Sequence, residues 1–360
     1  MASRRLRGTI RSLRVGSLTA MAVAWCALGP RVPPRGAVTP EAFPQESSAA
    51  PQAPDRREYT LLFAGDVMLA RAVGSRMAAR KDWSLPFQLI ADELRCADLR
   101  FCNLECPVSD RGRDLHHLYS FRADPRAIEG LRTAGFDVVS EANNHAYDWG
   151  PEALLDTLER LHAAGICTVG AGQNSLAAHY PLLVNADGLR IAILAYVDID
   201  PKEAAAGVDH PGVAWLDPAQ TLADIGFARA LADVVIVCPH WGVEYALKPA
   251  DDQVTLAHQM IDAGADLIVG SHPHVVQPVE KYRDHWIAYS LGNFVFDQRG
   301  PGTHHGLMLR VTVRDKQISK VAPLPININS GFQAELERAD ERSACPVVAE
   351  QSSGSFPPGE

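Results

Sequence analysis

The chain has 360 residues, 47% of them hydrophobic, and so carries enough apolar surface to bury the core of one large α/β domain. Its net charge of −9 excludes a protein built around broad nucleic-acid contact, which needs a basic face, so no nucleic acid is expected among its partners. The first residues differ in kind from the rest. Arg4, Arg5, Arg7, Arg11 and Arg14 precede an uncharged stretch from Val15 to Leu28, and no acidic residue stands before Glu41. This is the basic start and apolar run of a secretory signal, and the run is short for a bilayer span. Residues 1–30 are therefore expected to be a signal peptide or an N-terminal membrane anchor, with the protein exported and extracytoplasmic, either secreted or membrane-anchored. Trp25-Cys26-Ala27 is not a clean small-residue cleavage site, so cleavage and anchoring both stay open.

Residues 31–57, rich in Pro, Ala, Ser and Gln, read as a linker. Apolar periodicity starts near Tyr59 and fades after Asn329, which places the folded domain at 58–330 and a disordered tail at 331–360. Within the domain, strand-like and helix-like runs alternate: strand 59–64, helix 86–95, strand 98–104, helix 125–134, strand 136–140, helix 151–164 and strand 166–169. Asn185-Ala186-Asp187-Gly188 joins the apolar runs 181–184 and 189–196 as a hairpin. Helix 218–231, strand 233–238, helix 251–263, strand 266–269 and late strands near 285–289, 306–313 and 317–322 follow. The alternation predicts a mostly parallel core and the hairpin makes the sheet mixed, so the fold class is α/β.

Cys26 falls in the signal-like segment; Cys96, Cys102, Cys106, Cys167 and Cys238 lie in or beside element patterns, where buried free thiols or disulfides are expected. Cys102 and Cys106 have no partner pair at zinc-site spacing.

Short polar segments end the predicted strands: Gly65-Asp66-Val67-Met68, Cys102-Asn103-Leu104-Glu105, Ala142-Asn143-Asn144-His145, Pro239-His240-Trp241-Gly242-Val243-Glu244-Tyr245, Gly270-Ser271-His272-Pro273-His274 and Gly292-Asn293. The carboxyl ends of strands in an open α/β sheet line one edge, so these residues should converge in one crevice. His272 and His274, two residues apart in an extended segment, would sit on the same side of the chain. Asp66 has a competing reading as a helix cap, Glu105 as a loop residue, and Asn143 and Asn144 as turn residues; Asp148 and Gly150 suit a turn and a helix start. Taken together, carboxylate, amide oxygen and imidazole form the mixed ligand set that suits zinc, manganese or iron, as one or two divalent ions able to activate water.

Those six segments, in that order over about residues 59–325, resemble the CapA family of poly-γ-glutamate capsule biosynthesis proteins, assigned to the calcineurin-like metallophosphatase superfamily. The resemblance implies a metallophosphatase-like mixed-sheet sandwich flanked by helices, in four layers α/β/β/α. It implies Asp66 and Glu105 as acidic metal ligands, Asn144 as the amide ligand, His240, His272 and His274 as imidazole ligands, and His145 as the catalytic histidine that steadies charge on a departing group. Trp241, Glu244, Tyr245 and Asn293 are expected around the substrate. The superfamily places a histidine two residues after its first aspartate, where this chain has Met68, a poor ligand for such ions.

Two functions follow as expectations. One is a metal-dependent, phosphoesterase-like hydrolase or transferase acting on a small phosphoester, an amide-like bond or another envelope substrate, in the setting of a capsule-biosynthesis membrane complex. The other is a non-catalytic envelope component that binds a polyanionic polymer and assists its export, with Arg71, Arg76, Arg80, Lys81 and Arg122 near the predicted edge to meet carboxylates.

Overall fold

The computed structural model describes residues 58–337 and a short strand, Trp25–Ala27. The arginine-rich start, the linker and the end of the tail lie outside the described residues.

Two sheets face each other. The first has eight strands, ordered Ala334–Leu336, Gln317–Ile328, His305–Arg314, Glu58–Val67, Leu99–Leu104, Val138–Ser140 and Cys167–Val169, with Asn293–Val295 pairing alongside Glu58–Val67. The second has seven: Trp25–Ala27, Leu182–Ala186, Leu189–Val197, Val234–His240, Leu267–Val269, His285–Ala288 and Val279–Tyr282. The strands from Glu58–Val67 to Cys167–Val169 run parallel, as do those from Leu189–Val197 to His285–Ala288, while hairpins and the 305–314 strand add antiparallel edges.

Side-chain alternation explains the layering. Leu99 and Phe101 from one sheet, and Val234, Ile236 and Cys238 from the other, fill the space between the sheets. The alternate residues Cys102 and Leu104 turn outward beneath helices Arg71–Arg80, Ala91–Arg95 and Ile128–Ala134. Val235 and Val237 turn outward beneath helices Pro218–Leu231 and Asp251–Asp262. Three apolar seams thus make the four layers α/β/β/α, and each fully buried aliphatic side chain contributes roughly 1.5–3 kcal/mol.

Several expectations are corrected. The helix expected over 86–95 is a 3-10 turn, Leu85–Phe87, followed by the short helix Ala91–Arg95; Phe87 and Ile90, both buried, have the i, i+3 spacing that a 3-10 turn aligns. Helix Arg71–Arg80 was not anticipated because no residue at its start caps it. The Ala72 N–H donates instead to Asp297 Oδ2 at 3.1 Å, from far along the chain. Folded chain also extends past 330, since Ala334–Leu336 pairs with Ile326–Ile328. Cys102, Cys106 and Cys238 are buried free thiols, Cys96 is free but exposed, and Cys167 is disulfide-bonded.

One close approach constrains the end of the first strand. A Cβ on Gly65 would stand 2.0 Å from Gly292 O, and Gly292 O accepts the Asp66 N–H at 3.0 Å. Gly65→Ala should therefore lower stability by about 1–3 kcal/mol or more. Gly226→Ala, in an open helical position, should raise it by about 0.5–1 kcal/mol. Thermal unfolding of the two variants in parallel checks both signs.

Candidate functional site

The alternation that packs the inter-sheet core also builds the site. On one strand, Leu99 and Phe101 are succeeded at the same parity by Asn103 and Glu105; on another, Val234, Ile236 and Cys238 are succeeded by His240. Where the strands end, apolar residues give way to polar ones on the same face. Asp66 reaches that face through a register irregularity between Phe63 and Asp66, which shifts the inward position by one residue. Met68 falls on the other side, fully buried among Cys102, Leu104 and Phe294, and offers the site nothing.

Asp66, Glu105 and His240 each present a ligand atom, all within 4.8 Å of one another, and all three side chains are buried. At their centre lies the Asn103 amide, whose Nδ2 is 2.8 Å from Asp66 Oδ1, 3.1 Å from Glu105 Oε1 and 3.2 Å from His240 Nδ1. Asn143 sets the orientation of that amide by donating to Asn103 Oδ1 at 3.1 Å. Ser271 Oγ lies 2.9 Å from His240 Nδ1, and Asn144 Oδ1 lies 2.9 Å from His240 Nε2.

His272 and His274 arrive by a route other than the extended segment expected. Both take left-handed backbone, φ 99° and 59°, on either side of Pro273. Such conformations cost on the order of 1–3 kcal/mol each and persist where surrounding contacts hold them, as they do around functional sites. The His272 ring centre stands 4.9 Å from that of His240 and 6.0 Å from that of His274. His274 Nδ1 is 3.3 Å from Asp66 Oδ2 and 3.0 Å from Asn293 Oδ1, while its Nε2 is 3.9 Å from Glu105 Oε2. Glu105 Oε2 and His272 Nδ1 are buried and meet no hydrogen-bond partner among the described residues. Two carboxylates, three imidazoles and two orphaned donor atoms in one buried cluster fit a divalent cation.

Burial dominates the electrostatics of Glu105, His240 and His272. Burial, then the Asp66 charge and hydrogen bond, then Glu244, hold the Glu105 carboxyl well above the usual carboxylate range. Burial, then the neighbouring His272, His274 and His145, holds His240 well below the ordinary imidazole value, and burial with His274 lowers His272 to about 3. Neutral imidazole is the form that ligates a metal.

Outside the cluster lies a cleft of about 200 Å³ lined by Arg71, Tyr119, Phe121, His145, Glu244, Tyr245, His274, Phe296 and Gln298. His145 Nδ1 is 3.0 Å from Asp148 Oδ2, and its ring rests 4.5 Å from that of Phe121. Asp148, expected only in a turn, is buried and also accepts the Phe121 N–H at 2.8 Å, so it fixes the ring from behind. Asn144 bridges the two parts of the site, with Oδ1 on His240 and Nδ2 3.3 Å from His145 Nε2.

Glu244 and Tyr245 line this cleft, but Trp241 and Asn293 do not. Trp241 is wholly buried, donates Nε1–H to Tyr289 O at 3.1 Å and faces a separate cavity of about 430 Å³ with Asp198 and Asp252. Asn293 stands behind His274 and orients it. Asn103, Ser271 and Phe121 were missed, whereas Arg71, expected near the edge, does line the cleft. Asn103 was detectable, because it shares the strand face of Glu105 two residues on; the others depend on contacts distant in sequence.

Beneath the site, the wholly buried Glu141 has both carboxyl oxygens without a partner among the described residues, and burial raises its pKa well above the carboxylate range. A group whose folded pKa is raised contributes most stability below its unfolded value, about 4.3, and that stability is lost as pH rises toward the folded value. Glu141→Gln removes this loss. Its stability advantage over the parent should grow by about 1.4 kcal/mol per pH unit above pH 4.3 until the folded pKa is reached. Denaturant unfolding from pH 5 to pH 8 checks this, and parallel curves for the two proteins would count against it.

Residues 60–298 match the family described as bacterial capsule synthesis protein PGA_cap. The chain is 34% identical over 283 residues to PGA biosynthesis protein CapA of Bacillus subtilis, covering 77% of this chain and 73% of that one. It is 33% identical over 289 residues to capsule biosynthesis protein CapA of Bacillus anthracis, covering 77% and 69%. Among solved structures, calcineurin-like phosphoesterase YfkN of Bacillus subtilis aligns with TM-score 0.47 and 12% identity over 77% of this chain and 93% of that one. NAD nucleotidase of Haemophilus influenzae aligns with TM-score 0.43 and 13% identity over 79% of this chain, which spans about half, 54%, of that longer protein. With two thirds of its length inside the family match and about a third of the aligned residues identical to capsule proteins of two bacilli, the chain belongs to the PGA_cap family of bacterial capsule synthesis proteins.

Proposed function

We propose that the protein is an exported, metal-dependent hydrolase or transferase that acts on an anionic envelope substrate in capsule polymer synthesis, either an amide-linked polymer such as poly-γ-glutamate or a phosphoester. The observation that carries this reading is the buried convergence of Asp66, Glu105 and His240, with His272 and His274 beside them, and His274 lining the same cleft as His145. Asp66, Glu105 and His240 would hold the ion, joined by His272 and His274. Bound there, a divalent ion of manganese, zinc or iron supplies Lewis-acid charge and lowers the pKa of water.

The chain's own groups account for the rest. Asp148 holds Nδ1 of His145, which turns Nε2, beside Asn144 Nδ2 at 3.3 Å, to the side where it could exchange a proton with a leaving group once that amide yields. Asn144 ties the position of that imidazole to His240. The arginine-rich start supports the export part of the reading. A capsule-assembly complex is the setting suggested by the relatives' names.

A second reading, polymer binding and export assistance without turnover, is favoured by Met68. Its side chain is committed to the apolar core, so the position used for a histidine ligand in the wider superfamily is empty of donors.

Elemental analysis of the purified protein, paired with a screen of phosphoesters and γ-glutamyl peptides, separates the two. The hydrolase reading expects bound metal that is lost in Asp66→Ala and His272→Ala, together with turnover abolished by chelation. Bound polymer with no turnover in the metal-loaded protein would favour the binder. His145→Ala should lower kcat by roughly 10²- to 10⁴-fold with metal content unchanged. Asp148→Asn should cost about 10- to 100-fold, by analogy with other residues that orient a working histidine.

A further inference from the structure

We infer that Arg71 is the residue that seats an oxyanion of the substrate, a carboxylate or phosphate oxygen pair next to the bond at the metal-binding cluster. This rests on the reading of the cleft as a substrate site. Among the cations considered from sequence, Arg71 alone lines the cleft. Arg76, Arg80 and Lys81 lie on the exposed face of their helix and its end, and Arg122 is spent on Trp149, 3.5 Å from the ring centre, and on Arg111 O.

The seat is built rather than incidental. Arg71 takes left-handed backbone, φ 54°, at the first position of helix Arg71–Arg80, a conformation that nothing in the helix itself demands. Its guanidinium carbon lies 5.0 Å from the Phe121 ring centre and 5.9 Å from that of Phe296, so two aromatic faces fix its plane. Nε is held 3.2 Å from Asp297 Oδ1, and the other oxygen of that carboxylate caps the helix at Ala72. The Asp297 contact is an ion pair without a hydrogen bond, so the guanidinium meets no hydrogen-bond acceptor among the described residues, and the side chain is 36% exposed.

Asp297 and the aromatic faces therefore leave a planar, always-charged fork, the geometry that takes both oxygens of a carboxylate or phosphate. The cleft, about 200 Å³, has room for a single monomer-sized group between this fork and the rings of His145 and His274. Tyr119 and Tyr245 flank the opening, 63% and 49% exposed. An anionic repeating unit entering here would have its charge read by Arg71 while its backbone bond faces the histidines.

The test measures binding by equilibrium titration, which needs no turnover. The probes are a γ-glutamyl oligomer with free carboxylates, the same oligomer as its methyl ester, and inorganic phosphate, each against wild type, Arg71→Gln and Arg71→Lys. Arg71→Gln should weaken the free-acid oligomer by about tenfold or more, the loss expected for a charge-assisted fork, and leave the weaker ester unchanged. Arg71→Lys keeps the charge beside Asp297 but not the fork, and should fall between. Loss of phosphate binding in Arg71→Gln, with no oligomer binding in any protein, assigns the same seat to a phosphoester substrate. Equal affinity of wild type and Arg71→Gln for both anions overturns the inference, as does an equal loss for acid and ester, which marks a merely structural arginine. Because these readouts are affinities, absence of hydrolysis would count against the enzymatic reading and leave this result intact.

Discussion

Two carboxylates, Asp66 and Glu105, are buried together at the closed end of a β-sandwich, and the arrangement around them follows from that placement. Side by side in an apolar surround, both cannot stay ionised without a positive partner. The molecule offers three partial answers: the Asn103 amide, which donates to both; a raised Glu105 pKa; and the neighbouring imidazoles of His240 and His272, which burial disfavours as cations. None supplies a full positive charge. A divalent cation would, and it would also engage the two donor atoms that the protein leaves orphaned.

The same sandwich explains why these residues meet. The inter-sheet core needs an alternating apolar face, and simply continuing that alternation for one more residue pair past the apolar run delivers Asn103, Glu105 and His240 to one place. Little extra information is needed: the packing that stabilises the domain also aims the donors. Where alternation would fail, as at Gly65 and Asp66, a register irregularity and a glycine pressed against Gly292 O correct it. Where strand geometry cannot serve, at His272 and His274, the backbone takes left-handed conformations that the surrounding contacts hold in place.

This division accounts for what could be read from sequence. The layered α/β class, most strands and the donor segments were legible because period-two alternation ending in a polar residue is a local signal. Helix Arg71–Arg80 was not, since its start is capped by Asp297 from the far end of the domain. Trp241 was placed in the cleft wall because it follows His240. In a strand that continues its alternation, however, the next residue must face the opposite side, and Trp241 is packed there against Tyr289. Parity read one residue further would have moved it into the core. Asp148 was read as a turn residue, and it does sit in a turn; its carboxylate behind His145 is a tertiary contact that no spacing rule specifies.

The course of the chain beyond Val67, where the first strand ends, also shapes the donor set. On the first sheet, position 68 faces the helix layer, so a histidine placed there would enter the apolar core unless the strand end were re-aimed. The donors that remain are concentrated at the second sheet, where the His272 ring stands 4.9 Å from that of His240 and 6.0 Å from that of His274. Asp66 and Glu105 lie between that imidazole row and the Asn103 amide, and Glu105 Oε1 already shares Asn103 with Asp66. A cation bound by this cluster would engage its two orphaned atoms, Glu105 Oε2 and His272 Nδ1. Met68, packed on the helix side of the sheet, adds no donor, so the candidate set is confined to Asp66, Glu105 and the neighbouring imidazoles.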